Sequence, residues 1–125
     1  MKKVLVVVDM QKDFVNGALG TKEAVAIVDA VVEKVKNFDG EVIFTRDTHF
    51  ENYMDTQEGK HLPVIHCVKD TDGWQIIPQL RELCETMACK CYDKPTFGST
   101  VLAEDLKKYY EAGELESVEL VGICT

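Results

Sequence analysis

Apolar residues recur along the chain in two rhythms, and the alternation between them sets the expected architecture. Residues 3–8, Lys-Val-Leu-Val-Val-Val, form a largely apolar, β-branched run that stops at Asp9, the pattern of a strand buried on both faces of a parallel sheet. From Thr21 to Phe38 the spacing becomes helical, with Ala24, Ile27, Val28, Val31, Val35 and Phe38 on one stripe. Thr21 suits the helix start as a cap, Glu23 suits the N-terminal dipole, and Gly40 follows the end. Glu41 to Thr45 reads as a second short strand, so strand, helix and strand follow in the order of a right-handed βαβ crossover.

Between Arg46 and Asp72 the periodicity disappears and Asp, His, Asn, Gly and Pro accumulate, which predicts a long structureless connection of the functional or disordered kind. Pro78 opens a short helix through Cys84, and Cys89 to Tyr92 reads as a third strand that ends at Asp93-Lys94-Pro95, where the proline disfavours continuation. Ser99 caps a further helix with Leu102, Ala103, Leu106, Tyr109 and Tyr110 as its apolar face, and Gly113 stops it. Val118 to Gly122 is a fourth strand. The expected class is α/β. Ligands of such sheets bind beyond the carboxyl ends of the strands, and Asp9, Asp47, Lys94 and Thr125 all fall at or just past predicted strand ends, so they should converge on one crevice.

Composition narrows the field. With 125 residues, 46% of them hydrophobic, the chain suits one compact core, and residues 1–125 are expected to form a single domain. A net charge of −8 without a Lys/Arg run argues against nucleic acid as a partner. No apolar stretch approaches the roughly 20 residues of a membrane span, and Asp9 interrupts the first apolar run too early for a signal peptide, so no membrane partner is expected and the location read from the sequence is the cytoplasm. The five cysteines, at 67, 84, 89, 91 and 124, follow no regular framework. Without a Cys-x-x-Cys they are better read as small packing residues than as a metal or redox cluster.

A few residues are suited to chemistry. Asp9 and Lys94 each close a strand; delivered to one rim, they make a charged pair able to take a proton from a thiol and steady the resulting thiolate, although the same pair also serves as a purely structural ion pair. Asp47-Thr48-His49 places carboxylate and imidazole on the same side of extended backbone, where both can bind one metal ion. His66, across the long connection, is the third candidate ligand, with Glu58 and His61 as further ones, and mixed nitrogen and oxygen donors suit Zn²⁺, Fe²⁺ or Mn²⁺. Phe14 and Trp74 lie in predicted loops near strand ends, where an aromatic can stack on a flat substrate or simply anchor its loop.

Taken together these residues resemble the nicotinamidase and isochorismatase-like cysteine hydrolases over essentially the whole chain. Asp9-Met10-Gln11-Lys12-Asp13-Phe14, followed by Gly17 and Leu19, is similar to the family's D-x-Q-x-D-F-x-x-G-x-L opening. Its first Asp is the catalytic acid/base and its Phe lines the substrate pocket. Thr45-Arg46-Asp47-Thr48-His49 is similar to the segment carrying the D-x-H metal ligands, and His66-Cys67-Val68 with Thr71, Gly73 and Trp74 to the H-C-V-x-x-T-x-G-W stretch that supplies the remaining histidine. Glu58 is the nearest counterpart of a loop Glu that also coordinates in some members. Lys94 to Thr100 resembles the block that supplies the catalytic lysine.

The resemblance implies a doubly wound, mainly parallel sheet with helices on both faces, a three-layer Rossmann-like arrangement. It also implies hydrolysis of a small amide, nicotinamide to nicotinate and ammonia, with catalytic Asp9 and Lys94, substrate-binding Phe14 and Trp74, and a divalent metal, zinc before iron or manganese, on Asp47, His49, His66 and Glu58. Homo-oligomerisation is left open. Isochorismatase-like members acting on other small substrates generally lack the ligand set. The departure falls at Gly122-Ile123-Cys124-Thr125: in the family this motif runs on to Asp, a variable residue and the nucleophilic Cys. Cys124 therefore occupies the variable position, and the domain is expected to be incomplete at its C-terminus, its thiol, oxyanion hole and last strands lying beyond Thr125. Two readings of another class are a non-catalytic remnant and a phosphate-accepting receiver domain. Receivers, however, pair two acids after the first strand and place Lys-Pro after the fifth, whereas Asp9 has no acidic neighbour and Lys94-Pro95 follows the third.

Overall fold

The computed structural model describes residues 2–94 and 100–123, without the side chains of Glu58, Thr100 and Val101; Ser99, Cys124 and Thr125 lie outside the described residues. Four strands, β1 (Lys2–Val8), β2 (Glu41–Asp47), β3 (Lys90–Lys94) and β4 (Leu115–Gly122), form one sheet in the order β3-β2-β1-β4. Every pairing is parallel. β1 has a neighbour on each side and a helical layer on each face, and this is why its sequence is an unbroken apolar run. Leu5 and Val7 join one core cluster while Val4 and Val6 join the other, all four at most 1% exposed.

Helix α2 (Lys22–Asn37) begins where expected: the Thr21 hydroxyl accepts from the Ala24 amide at 3.0 Å, and Val28, Val31 and Val35 pack on Leu5, Val7, Val42 and Phe44. Helix α4 (Pro78–Met87) lies on the same face through Leu80 and runs three residues past the predicted end at Cys84. Its stop is set by Ala88 in the left-handed region, φ 52, with the Cys89 amide returning to the Cys84 carbonyl. No glycine marks that stop, so composition gave no cue to it.

Helix α5 (Thr100–Glu111) covers the opposite face, Leu102 and Leu106 meeting Val4, Val6 and Ile43. Its predicted apolar face is too wide: Ala103 and Tyr110 are exposed, Tyr110 by 73%. Residues 102, 106 and 109 form the stripe toward the sheet, and positions one further on are turned about 100° away.

The connection from 46 to 72 is not structureless. It contains a 3₁₀ turn at Tyr53–Asp55, helix α3 (Gln57–His61) and a bridge between His49 and Val68, and it is pinned by the buried ring of Tyr53, whose hydroxyl donates to the Leu62 carbonyl. Two other short elements, α1 (Lys12–Val15) and a 3₁₀ turn at Asp72–Trp74, follow from no periodicity because each is about one turn long. The chain steps from β1 to β2 to β3 in one direction and then returns to the far side of β1. A switch point therefore lies at the carboxyl ends of β1 and β4, where α/β sheets bind ligands. Gly122 is what lets β4 leave there: it pairs with Val8 at φ +118, and any Cβ would collide with the Val8 carbonyl.

Candidate active site and metal centre

Asp9 is the first residue past β1, and its backbone sits at φ 51, a left-handed conformation that Asp tolerates better than most residues and that clusters at functional sites. Thr45 holds it from β2. The Thr45 hydroxyl accepts from the Asp9 amide at 3.2 Å and donates to Oδ1 at 2.8 Å, while the ammonium of Lys94, at the end of β3, donates to Oδ2 at 2.8 Å. Asp9 and Lys94 are thus brought together as expected, and both are buried. Burial raises the Asp9 carboxyl above its ordinary range despite the opposing hydrogen bond and charge of Lys94. A carboxylate so placed is a better proton acceptor than one in water.

Beside this pair, Asp47, His49 and His66 come together with one ligand atom each, all within 4.8 Å of one another and all three residues buried. The extended backbone at 47–49 does what its spacing promised: His49 Nε2 lies 3.0 Å from Asp47 Oδ2. His66 Nε2 approaches the same oxygen at 3.6 Å. The chemistry of the donors tests whether a metal fits. His66 Nδ1 lies 2.7 Å from the Val64 carbonyl, a partner that can only accept, so Nδ1 carries the proton. The His66 Nε2 then faces a carboxylate oxygen of Asp47, where a proton or a shared cation belongs between them. The arrangement of a histidine donating its far nitrogen to a carbonyl is that of a metal ligand. Burial works to raise the Asp47 carboxyl, but hydrogen bonds with His49 and His66 and the charges of His49 and Lys94 outweigh it and hold it at about 2. The set fits a divalent ion.

The remaining sequence candidates divide. Phe14 is in α1 rather than a loop, its ring edge-on to His66 at 5.4 Å between centroids, and it packs with Cys67 and Trp74. Trp74 is largely enclosed: Arg46 stacks 3.8 Å from its ring and its Nε1 donates to the Thr48 hydroxyl at 3.0 Å. His61 is exposed at the end of α3 and is not among the clustered ligands. Glu58 belongs to α3, but its side chain lies outside the described residues.

The thiols described are poor nucleophiles. Burial and the charges of Asp47, Asp13 and Asp9 push the Cys67 thiol far up, burial raises Cys84, and burial lifts Cys89 and Cys91 to about 11. Cys67, Cys84 and Cys89 pack as expected of small apolar residues, whereas Cys91 is exposed. Two site residues escape sequence reasoning. Thr45 looks like any β-branched strand residue, and Tyr53, whose ring stands edge-on to His49 at 4.6 Å and His66 at 5.1 Å, comes from the stretch without periodicity.

The chain as a whole is similar to known proteins. The chain is 27% identical to the nicotinamidase of Saccharomyces cerevisiae, over 98% of this chain and 75% of that one. It superposes on the zinc complex of pyrazinamidase from Pyrococcus horikoshii with a TM-score of 0.76 and 29% identity, over all of this chain and 72% of that one. It also superposes on N-carbamoylsarcosine amidase from Thermoplasma acidophilum with a TM-score of 0.77 and 26% identity, over 98% and 68%. The family model of the isochorismatase domain matches residues 3–125. With the Asp9–Lys94 pair at the switch point of a parallel sheet and that match along its length, the chain belongs to the isochorismatase family.

Proposed function

We propose that the protein hydrolyses a small amide, nicotinamide first among them, releasing nicotinate and ammonia. The observation that carries this reading is the buried Asp9–Lys94 pair, 2.8 Å apart at the switch point, with the Asp9 carboxyl made more basic by burial. In this reading its thiol is supplied by the part of the domain that follows Thr125 in the family pattern, since burial raises each described cysteine thiol above its ordinary value. Asp9 takes the thiol proton and Lys94 steadies the thiolate. Attack on the amide carbonyl and loss of ammonia give a thioester, which water hydrolyses to the carboxylate. Phe14, beside His66, and Trp74 border the substrate ring. Asp47, His49 and His66 would hold a divalent ion, zinc by analogy with the Pyrococcus relative, which would supply Lewis acidity toward the substrate when bound. Nicotinamide is favoured by the yeast relative and by the ligand set; the cytoplasm is the proposed location.

The test is ammonia release from nicotinamide by protein that includes the segment after Thr125, supplied with Zn²⁺. Release that falls at least 10³-fold in Asp9→Asn supports the reading, the scale of a lost general base combined with a lost nucleophile-activating partner. Release from carbamoyl or other amides but not nicotinamide would move the substrate, and release from none would sink the proposal.

A further inference from the structure

Positions 11 and 13 lie in sequence between the proton acceptor Asp9 and Phe14, outside the residues assigned to proton transfer, metal or substrate. Both are nevertheless tied to the metal ligands by side-chain hydrogen bonds across long stretches of sequence. Gln11 is fully buried. Its Oε1 accepts from the Asp47 amide at 2.8 Å, while its Nε2 donates to the Asp47 carbonyl at 2.9 Å and to the Trp74 carbonyl at 2.8 Å. The β1–β2 ladder ends at Val8 and Thr45, so the Gln11 amide stands in for a missing peptide group and continues the pairing to Asp47. Asp13 grips the other ligand segment. Its Oδ2 accepts from the Cys67 amide at 2.8 Å, next to His66, and the Cys67 carbonyl in turn accepts from the His49 amide at 2.9 Å. The carboxylate lies so close to Gly73 that a Cβ there would collide with it, and Cys67 is held at φ 48.

We infer that Gln11 and Asp13 are positioning residues that set the geometry of the Asp47, His49 and His66 donors through their backbones. The segment from 9 to 14 therefore serves both halves of the site, acid–base at Asp9 and ligand placement at Gln11 and Asp13. The backbone around Asp47 and Cys67 gains its orientation from three hydrogen bonds to Gln11 and Asp13 that no apolar side chain can replace. Outer partners of this kind change metal affinity about 10–100-fold when lost.

This rests on the reading of the three residues as metal ligands, and titration separates the two claims. The full chain and its variants are titrated with Zn²⁺ against a chromophoric chelator, and with Co²⁺ for its visible spectrum. Gln11→Leu and Asp13→Ala are expected to bind Zn²⁺ 10–100-fold more weakly and to alter the Co²⁺ bands. Asp13→Asn, which keeps an acceptor for the Cys67 amide, should stay within a few-fold of the parent. Val35→Ala, a core change far from the site, should lower the unfolding temperature without moving either readout. Should Gln11→Leu fail to fold, Gln11→Glu keeps one acceptor and loses both donors, and it must also bind more weakly. Parent-like zinc affinity and cobalt spectra in folded Gln11 and Asp13 variants overturn the inference. Failure of the parent chain to bind either ion overturns the metal reading itself, and the inference with it.

Discussion

The Lys94 ammonium meets Asp9 Oδ2 at 2.8 Å with the two side chains 4% and 1% exposed, a charged pair that spans the ends of β3 and β1 with β2 between them. Charges this dry are costly alone and tolerable together. Removal of one partner is expected to destabilise the fold by about 3–5 kcal/mol, because the other charge stays behind, buried and without this counter-charge. Urea unfolding of Lys94→Met and Asp9→Asn should show that loss. The double variant should lose less than the sum of the two, and additive losses would mean that the pair is not coupled.

The same burial makes stability depend on pH in a definite direction. The folded Asp9 carboxyl binds its proton more tightly than the unfolded one, whose ordinary value is 3.8. Between that value and the raised one the native state carries more protons, so this residue's contribution to stability falls as pH rises. The stability of the parent chain minus that of Asp9→Asn, measured by unfolding at pH values from about 3.5 upward, should decline with pH. A rising difference would contradict the raised value.

Metal and fold should be linked. A ligand that binds only the native state adds about 2.7 kcal/mol at a hundred times its dissociation constant. Added Zn²⁺ is expected to raise the unfolding temperature and a chelator to reverse the rise. His66→Ala, which removes one of the three clustered donors, should abolish the shift. Thermal scans with and without zinc decide it, and a full shift in His66→Ala would exclude that residue as a ligand.

Cys91 is exposed, yet its thiol is lifted to about 11, burial of the sulfur and the charge of Asp93 prevailing over Arg46. Alkylation goes through the thiolate. Iodoacetamide should therefore label folded Cys91 slowly near pH 7, and about tenfold faster for each unit of pH until the thiol titrates near 11. Peptide mass spectrometry after timed labelling reads the rate, and fast labelling at neutral pH would show an activated thiol.

How much of this was legible beforehand depended on the range of the forces involved. Residues 3–8 announce a doubly covered strand because every position must face an apolar layer, and the stripe from Ala24 to Val35 announces α2 because one face of a helix repeats every three or four residues. Thr21 identifies its own cap, and Asp47 and His49 converge because extended backbone alternates sides; these are local rules, and local sequence satisfies them. The sequence by itself therefore determined the α/β class, the placement of Asp9 and Lys94 at strand ends, and the ligand types available. Only the tertiary structure decided which of them meet. His66 already ranks ahead of His61 as a ligand in the sequence, and the Val64 carbonyl and the bridge from His49 to Val68 are what turn it inward while His61 stays in solvent. Gln11, Thr45 and Tyr53 act through hydrogen bonds or ring contacts to residues distant in sequence, which no periodicity encodes. Burial of Asp9, and with it the basicity of its carboxyl, arises from the layers that close around the strand ends, a property of the assembled sheet and of no residue alone.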